Sequence, residues 1–425
     1  MVVGIMVGAG IFRTPGLVAA RLGSPWLTFV AWIAGAALSV LGALVFAELA
    51  TRHPMAGGKY VYAREAYGRR AGFVIGWVEA LGIYCVAIAG VAVVAGEYLA
   101  QILGWSDVDP RWVGALLLAV VTALNLIGVS VGRWAQNVVT GAKVLALLAV
   151  VGLAATFGTG AGWASPAHVP SGASLVGAFA VALQAVIWTY YGYPDAAKIA
   201  EEVVDPSRTL PRVFLLGIGC TVGLYVLLNA AFLHVLPLET IAGSTLVAGD
   251  VARVIFGPQG AALVTALALL VVLGSLNGNV FVTPRVVFGL ARDGLAPRVL
   301  ARVNAGGTPW TAMLLVGLVS TLLAASGTFE QLLSWAILSV LVTDAFMVLV
   351  LFRLRRVGAA APFRVPLYPV LPLAFLALYL ALFVGASLEQ PSFVLVVAAT
   401  FVLAWLVARL AVRERSIGSG ARGLD

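Results

Sequence analysis

Twelve stretches of roughly 17 to 30 mostly apolar residues follow one another along this chain, separated by short polar links. They fall at about 1–22, 26–50, 72–101, 112–129, 137–157, 174–199, 213–236, 259–282, 309–325, 330–352, 367–387 and 391–412. Each is long enough to cross a hydrocarbon layer of about 30 Å as a helix. In lipid every backbone N–H and C=O needs an internal partner, so only helices and closed barrels can span. A barrel needs short strands of alternating polarity. These runs are continuous, so the expected fold is an all-α membrane protein with about 12 transmembrane helices. Composition agrees: 62% of residues are hydrophobic and 10% charged, against about 25% charged in soluble domains.

The net charge of +8 is explained by topology. Cytoplasmic loops of membrane proteins are enriched in Lys and Arg. With the N-terminus inside, the loop after span 2 holds Arg52, Lys59, Arg64, Arg69 and Arg70, and the loop after span 4 holds Arg133. Lys198, Arg208 and Arg212 follow span 6; Arg285, Arg292, Arg298 and Arg302 follow span 8. Arg353, Arg355, Arg356 and Arg364 follow span 10, and Arg409, Arg413, Arg415 and Arg422 lie at the tail. Only Arg13, Arg21, Arg111, Lys143 and Arg253 of the 26 basic residues fall elsewhere. The expected protein is multi-pass, in the cytoplasmic membrane, with both termini cytoplasmic and no nucleic-acid partner. Cys85 and Cys220 lie inside apolar runs, and His53, His168 and His234 are scattered. No metal or cofactor is expected from them. No cleavable signal peptide is visible, and the chain opens directly on an apolar run, so a trimmed or mis-assigned start is expected. The polar, Gly-rich tail 413–425 is expected to be disordered.

Three features carry possible chemistry. In span 1, Gly4, Gly8 and Gly10, followed by Pro15 and Gly16, are poor material for a continuous helix. A break there would leave free N–H groups and a positive dipole end, which suit a carboxylate. Close packing of small residues between helices is the competing reading. In span 6, Gly192 and Pro194 interrupt a segment carrying Trp188, Tyr190 and Tyr191. Paired interruptions in two halves point to a transporter site. Spans 1–5 (1–157) and 6–10 (173–352) would then be inverted repeats, with spans 11 and 12 (367–412) appended. The aromatic residues sit near mid-span rather than at an interface, which favours a role facing substrate or gating it. In span 5, Lys143 is an intramembrane cation and so a functional candidate, with snorkelling as the alternative. Glu79, Glu97, Asp344 and Arg13 are weaker signals, read first as vestibule lining. Asn277, near Gly274 and Gly278, is a candidate lining residue of span 8.

Several segments in order resemble the amino acid–polyamine–organocation superfamily, and within it bacterial relatives of the L-type amino acid transporters. They are Gly8-Ala9-Gly10-Ile11-Phe12; Phe46-Ala47-Glu48-Leu49 through Tyr62; Ala135-Gln136-Asn137 through Lys143; Trp188 through Glu202 with Asp205-Pro206 and Arg208 to Pro211; and Arg285 to Pro297 with Thr308-Pro309. The resemblance implies a LeuT-like 5+5 inverted repeat with helices 1 and 6 unwound. It implies that amides of Ala9, Gly10 and Ile11, beside Gly8, hold the substrate carboxylate. Carbonyls near Met6, Trp188 and Tyr191, beside Tyr190 and Gly192, would take the α-amino group. Trp188 falls at the family's aromatic gate. Lys143 falls where a lysine braces the span 1 break in sodium-independent members. Ala9 replaces the usual hydroxyl residue and removes one contact, not the main-chain donors.

The expected function is sodium-independent amino acid transport by alternating access, as neutral amino acid exchange or proton-coupled uptake, with no required partner subunit evident. A polyamine or cationic amino acid transporter is the alternative. No acid cluster for a cationic side chain is evident in the sequence. An integral-membrane enzyme would need a convergent catalytic set, and none is visible. A channel would give no reason for the paired breaks.

Overall fold

The computed structural model describes residues 6–55, 57–127, 133–169, 173–195, 203, 205–358 and 360–412. Expectations for Gly4, Lys198, Glu201, Glu202 and the tail lie outside the described residues. Among the described residues there is no strand. The helices are α1 (Gly10–Leu22), α2 (Pro25–Arg52), α3 (Lys59–Tyr67), α4 (Arg69–Trp77), α5 (Val86–Leu103), α6 (Pro110–Leu126), α7 (Arg133–Phe157) and α8 (Ala173–Tyr190). They continue as α9 (Pro206–Val235), α10 (Leu238–Ala242), α11 (Val247–Val282), α12 (Pro284–Arg292), α13 (Trp310–Ser326), α14 (Phe329–Val357), α15 (Val370–Glu389) and α16 (Pro391–Ala411). Among the described residues, eight helical stretches are long and apolar enough to cross a membrane, and three shorter apolar helices accompany them.

Two departures from regular α-helix matter for the site. Between α4 and α5, residues Val78–Cys85 wind as a π-helix. Gly257 and Pro258 kink α11, so its first turns are set at an angle to the rest.

α1 packs along α8, and α2 along α9. α5 lies among α6, α11 and α14. Where α2, α8 and α9 meet, Trp32 packs edge-on to Tyr190 at 5.8 Å and to Tyr225 at 6.2 Å between ring centroids. The Tyr225 hydroxyl donates to the Met6 carbonyl at 2.8 Å. A buried aromatic layer thus supports the backbone next to the span 1 interruption. The outermost helix, α16, exposes Leu395, Leu403 and Leu410. In water such a face would be costly; against acyl chains it is not.

At the basic end of the bundle, α3 is clasped between distant segments. Arg64 pairs with Asp293, and the Tyr60 hydroxyl donates to the same carboxylate at 3.2 Å. Arg353 Nε donates to the Ala66 carbonyl at 2.6 Å. Glu48, fully buried at the end of α2, takes a fork from Arg355, a bond from Arg52 at 3.2 Å, and the Val365 amide at 2.8 Å. A buried carboxylate is tolerated only when its lone pairs are filled this way. Glu48→Ala leaves Arg355 and the Val365 amide without their acceptor. We expect a loss of about 3–5 kcal/mol, read as a lowered unfolding midpoint in detergent.

Candidate functional site

Span 1 is interrupted where the glycines predicted. Met6 is helical, Val7 to Ala9 are not, and the helix resumes at Gly10. The first amides of a helix have no acceptor within it. Those of Phe12 and Arg13 turn to the Ala9 carbonyl at 3.2 and 3.3 Å. The amides of Gly10 and Ile11 sit ahead of them, at the positive end of α1.

Span 6 is interrupted as well. α8 ends at Tyr190, and Tyr191 to Asp195 form tight turns. Tyr191 N–H donates to the Trp188 carbonyl at 3.0 Å, and Asp195 N–H to Gly192 at 3.1 Å. Gly192 has φ of 127°, a backbone state that side chains with a Cβ rarely adopt.

The two interruptions face one cavity of ≈ 70 Å³. Met6, Gly8, Ala9 and Gly10 line it from one side, and Trp188, Thr189, Tyr191, Gly192 and Asp195 from the other. Tyr84 closes it from the π segment, and Ser275 and Asn279 from α11. α1 and α8 touch across this site through hydroxyls: Thr189 Oγ1 is 2.8 Å from Thr14 Oγ1 and donates to the Ala185 carbonyl at 2.9 Å.

Four of the expected site residues do not line the cavity. Ile11 and Tyr190 are wholly buried, Tyr190 behind the site in the aromatic layer. Asn277 points instead at α6, accepting from Asn125 Nδ2 at 2.7 Å. The reason is helical spacing. Residues 275 and 279 share one face of α11, and residue 277 lies on the opposite one. Lys143 is 3% exposed, and among the described residues its Nζ has no hydrogen-bond partner. It does not line the cavity.

The acid content of the site exceeds the sequence reading. Tyr84 OH lies 2.8 Å from Glu79 Oε1 and 3.2 Å from Asp195 Oδ1. The π winding of Val78–Cys85 brings residues five apart into reach, which an α-helix would not. One wall of the cavity is therefore polar, with a carboxylate.

Ion pairs flank the cavity. Lys59 is not a free loop charge. It is 1% exposed, with Nζ 2.6 Å from Asp344 Oδ1 of α14 and 2.7 Å from the Tyr191 hydroxyl. Thr343 Oγ1 adds a contact at 3.2 Å. Asp344 is fully buried, so vestibule lining is not its place. A second pair involves the helix after the first break. Arg13 Nη2 meets Glu330 Oε1 at 2.7 Å, and Arg13 Nε lies 3.5 Å from Glu97. Glu330 is 47% exposed, so this pair is the wetter and weaker of the two.

Lys59 was missed as a site residue, although one signal pointed to it. An acid inside a span, such as Asp344, needs a partner, and a basic residue beside a span end can supply one.

Among the described residues no cluster of His, Cys, Asp and Glu suits a metal ion. Outside the spans, Asp109 caps α6 and is held below the usual carboxylate range by hydrogen bonds from the Arg111 side chain and amide.

The chain is similar to known transporters over most of its length. It is 28% identical over 388 residues to the serine/threonine exchanger SteT of Bacillus subtilis (strain 168), covering 89% of this chain and 86% of the relative. It is 26% identical over 419 residues to the b(0,+)-type amino acid transporter 1 of Mus musculus, covering 96% and 85%. It is 30% identical over 334 residues to the large neutral amino acids transporter small subunit 2 of Homo sapiens, covering 76% and 62%. These relatives are transporters, not enzymes. The family model described as amino acid permease matches residues 1–408. The chain is a multi-pass membrane protein of the amino acid permease family, within the amino acid–polyamine–organocation superfamily.

Proposed function

We propose that the protein is a sodium-independent exchanger of small neutral amino acids in the cytoplasmic membrane, working by alternating access. The reading rests on one observation: both helix interruptions open onto the same ≈ 70 Å³ cavity. A zwitterion is costly to bring to the middle of a bilayer. Two opposed half-helix ends satisfy both of its charges without a full counter-ion. The carboxylate goes to the amides of Ala9, Gly10 and Ile11, and the ammonium to carbonyls near Met6, Trp188 and Tyr191. Trp188 covers the bound molecule.

The volume admits about five water-sized groups, which suits a small amino acid. Tyr84, Ser275 and Asn279 offer a polar wall to its side chain. A hydroxyl side chain fits that wall, in line with a relative named a serine/threonine exchanger. Asp195 in the lining favours a second reading, a substrate with a cationic side chain.

In this reading spans 1–5 and 6–10 form a LeuT-like 5+5 inverted repeat with two helices appended. Lys143, buried in α7, supplies a fixed positive charge that stands in for a bound sodium ion. The Lys59–Asp344–Tyr191 cluster holds the basic end closed, and the Arg13 pairs close the other. The charge bias puts the basic end, and both termini, in the cytoplasm. One relative is named a small subunit; here the single chain is taken as sufficient.

The test is reconstitution of the chain alone into liposomes. Labelled serine or alanine should enter only when unlabelled amino acid is loaded inside, with no sodium requirement. Uptake into empty liposomes driven by a pH gradient would replace exchange with proton symport. Competition by lysine or arginine stronger than by serine would select the second reading.

A further inference from the structure

Among the described residues, a cavity larger than the one at the helix interruptions lies elsewhere. A groove of ≈ 600 Å³ runs down the outside of the bundle, between the α4–π segment, the loop after α12, and α16. Its walls are apolar: Phe73, Trp77 and Leu81 on one side, Leu403 and Val407 on the other, with Leu295 at one end. It is a built feature. Trp77 Nε1 donates to the Leu295 carbonyl at 3.1 Å and fixes the loop against the wall.

Its length and its charge both point to one kind of occupant. The α16 wall runs from Thr400 to Ala411, which at 1.5 Å per residue is about 17 Å. That is close to one leaflet, half of a hydrocarbon core of about 30 Å. The groove ends at arginines. Arg69 Nη2 donates to the carbonyl of Gly294, a wall residue, at 3.1 Å. Arg70 Nε lies 3.4 Å from the carbonyl of Val412, the last wall residue. Arg298, next to wall residue Pro297, is exposed. An apolar slot one leaflet deep, with cations at its mouth, matches an acyl chain below an anionic headgroup. Basic pockets between helices on the cytoplasmic side bind such headgroups.

We infer that this groove is a binding site for one anionic phospholipid, its acyl chain against α16 and its phosphate headgroup at Arg69 and Arg298. The site lies outside the transport cavity and does not depend on the substrate reading.

Native mass spectrometry of the delipidated full chain tests it, with dioleoyl phosphatidylglycerol and dioleoyl phosphatidylcholine as probes. The first should bind about thirtyfold more tightly, the contribution of two arginines at a membrane surface. Arg298→Gln, on an exposed side chain, should remove about fivefold of that preference, and Arg69→Gln/Arg298→Gln nearly all of it. Ala404→Phe fills the slot and should weaken both lipids alike. Equal binding of the two lipids by the unaltered chain would overturn the assignment. So would a headgroup preference that survives the arginine changes, lipid binding untouched by Ala404→Phe, or a lipid-free dimer sealed at this face.

Discussion

Gly10→Ala will reduce amino acid exchange by on the order of a hundredfold while leaving the protein folded. A Cβ at Gly10 would sit 2.9 Å from Thr189 Oγ1 and 3.0 Å from Thr189 Cα and Cγ2. Thr189 cannot simply turn aside, because its hydroxyl is held by Thr14 and by the Ala185 carbonyl. The added methyl must therefore push α1 away from α8, at the one place where both helix ends address the same cavity. Overpacking of this kind costs about 1–3 kcal/mol, which a bundle of this size survives. The geometry that would grip a carboxylate does not survive a displacement of an ångström. The check is the exchange rate in proteoliposomes, paired with the unfolding midpoint. Gly219→Ala, where an added Cβ meets nothing within 4 Å, should keep normal rates. Normal exchange by Gly10→Ala would remove span 1 from the site.

Lys59→Met will destabilise the protein by about 3–5 kcal/mol, and Lys59→Met/Asp344→Leu will recover most of that loss. Both partners are buried, and Lys59 makes its closest contacts with Asp344 and Tyr191. Removing the lysine alone strands a carboxylate in the bundle interior, where charge is expensive. Removing both charges leaves an apolar contact of similar size. The functional outcome separates from the stability outcome. The double variant should be folded yet slow in exchange, because Tyr191, at the second interruption, has lost both polar partners that hold it to α3 and α14. Unfolding midpoints of the single and double variants, with exchange rates beside them, read both effects. A double variant no more stable than the single one would mean that the pair is not the coupled unit described.

Much of the architecture is written in the apolar runs, because lipid forces backbone bonds into helices and leaves few alternatives. The interruptions at Gly8–Gly10 and Gly192–Pro194 were also visible, since glycine and proline act locally and keep their meaning out of context. What could not be seen depends on neighbours distant in sequence. Lys59 follows Gly57-Gly58 and reads as a loop charge, yet Tyr60, Val61 and Tyr62 beside it are all buried. Only its approach to Asp344, 285 positions further on, reveals its place. The pairing of Tyr84 with Glu79 required a π turn that no residue type announces. Asn277 is different: a helical wheel puts it opposite Ser275 and Asn279, so spacing excludes it once that face is known to line the cavity.

Two facing interruptions of the backbone, rather than any charged side chain, are proposed to hold the substrate's ends. Competition against labelled serine exchange, using serine, its carboxyl amide and its decarboxylated analogue ethanolamine, tests this most directly. Serine should compete fully and both analogues should fail, since each lacks the carboxylate that the α1 amides need. Equal competition by ethanolamine, or no serine exchange at all by the folded chain, would contradict it.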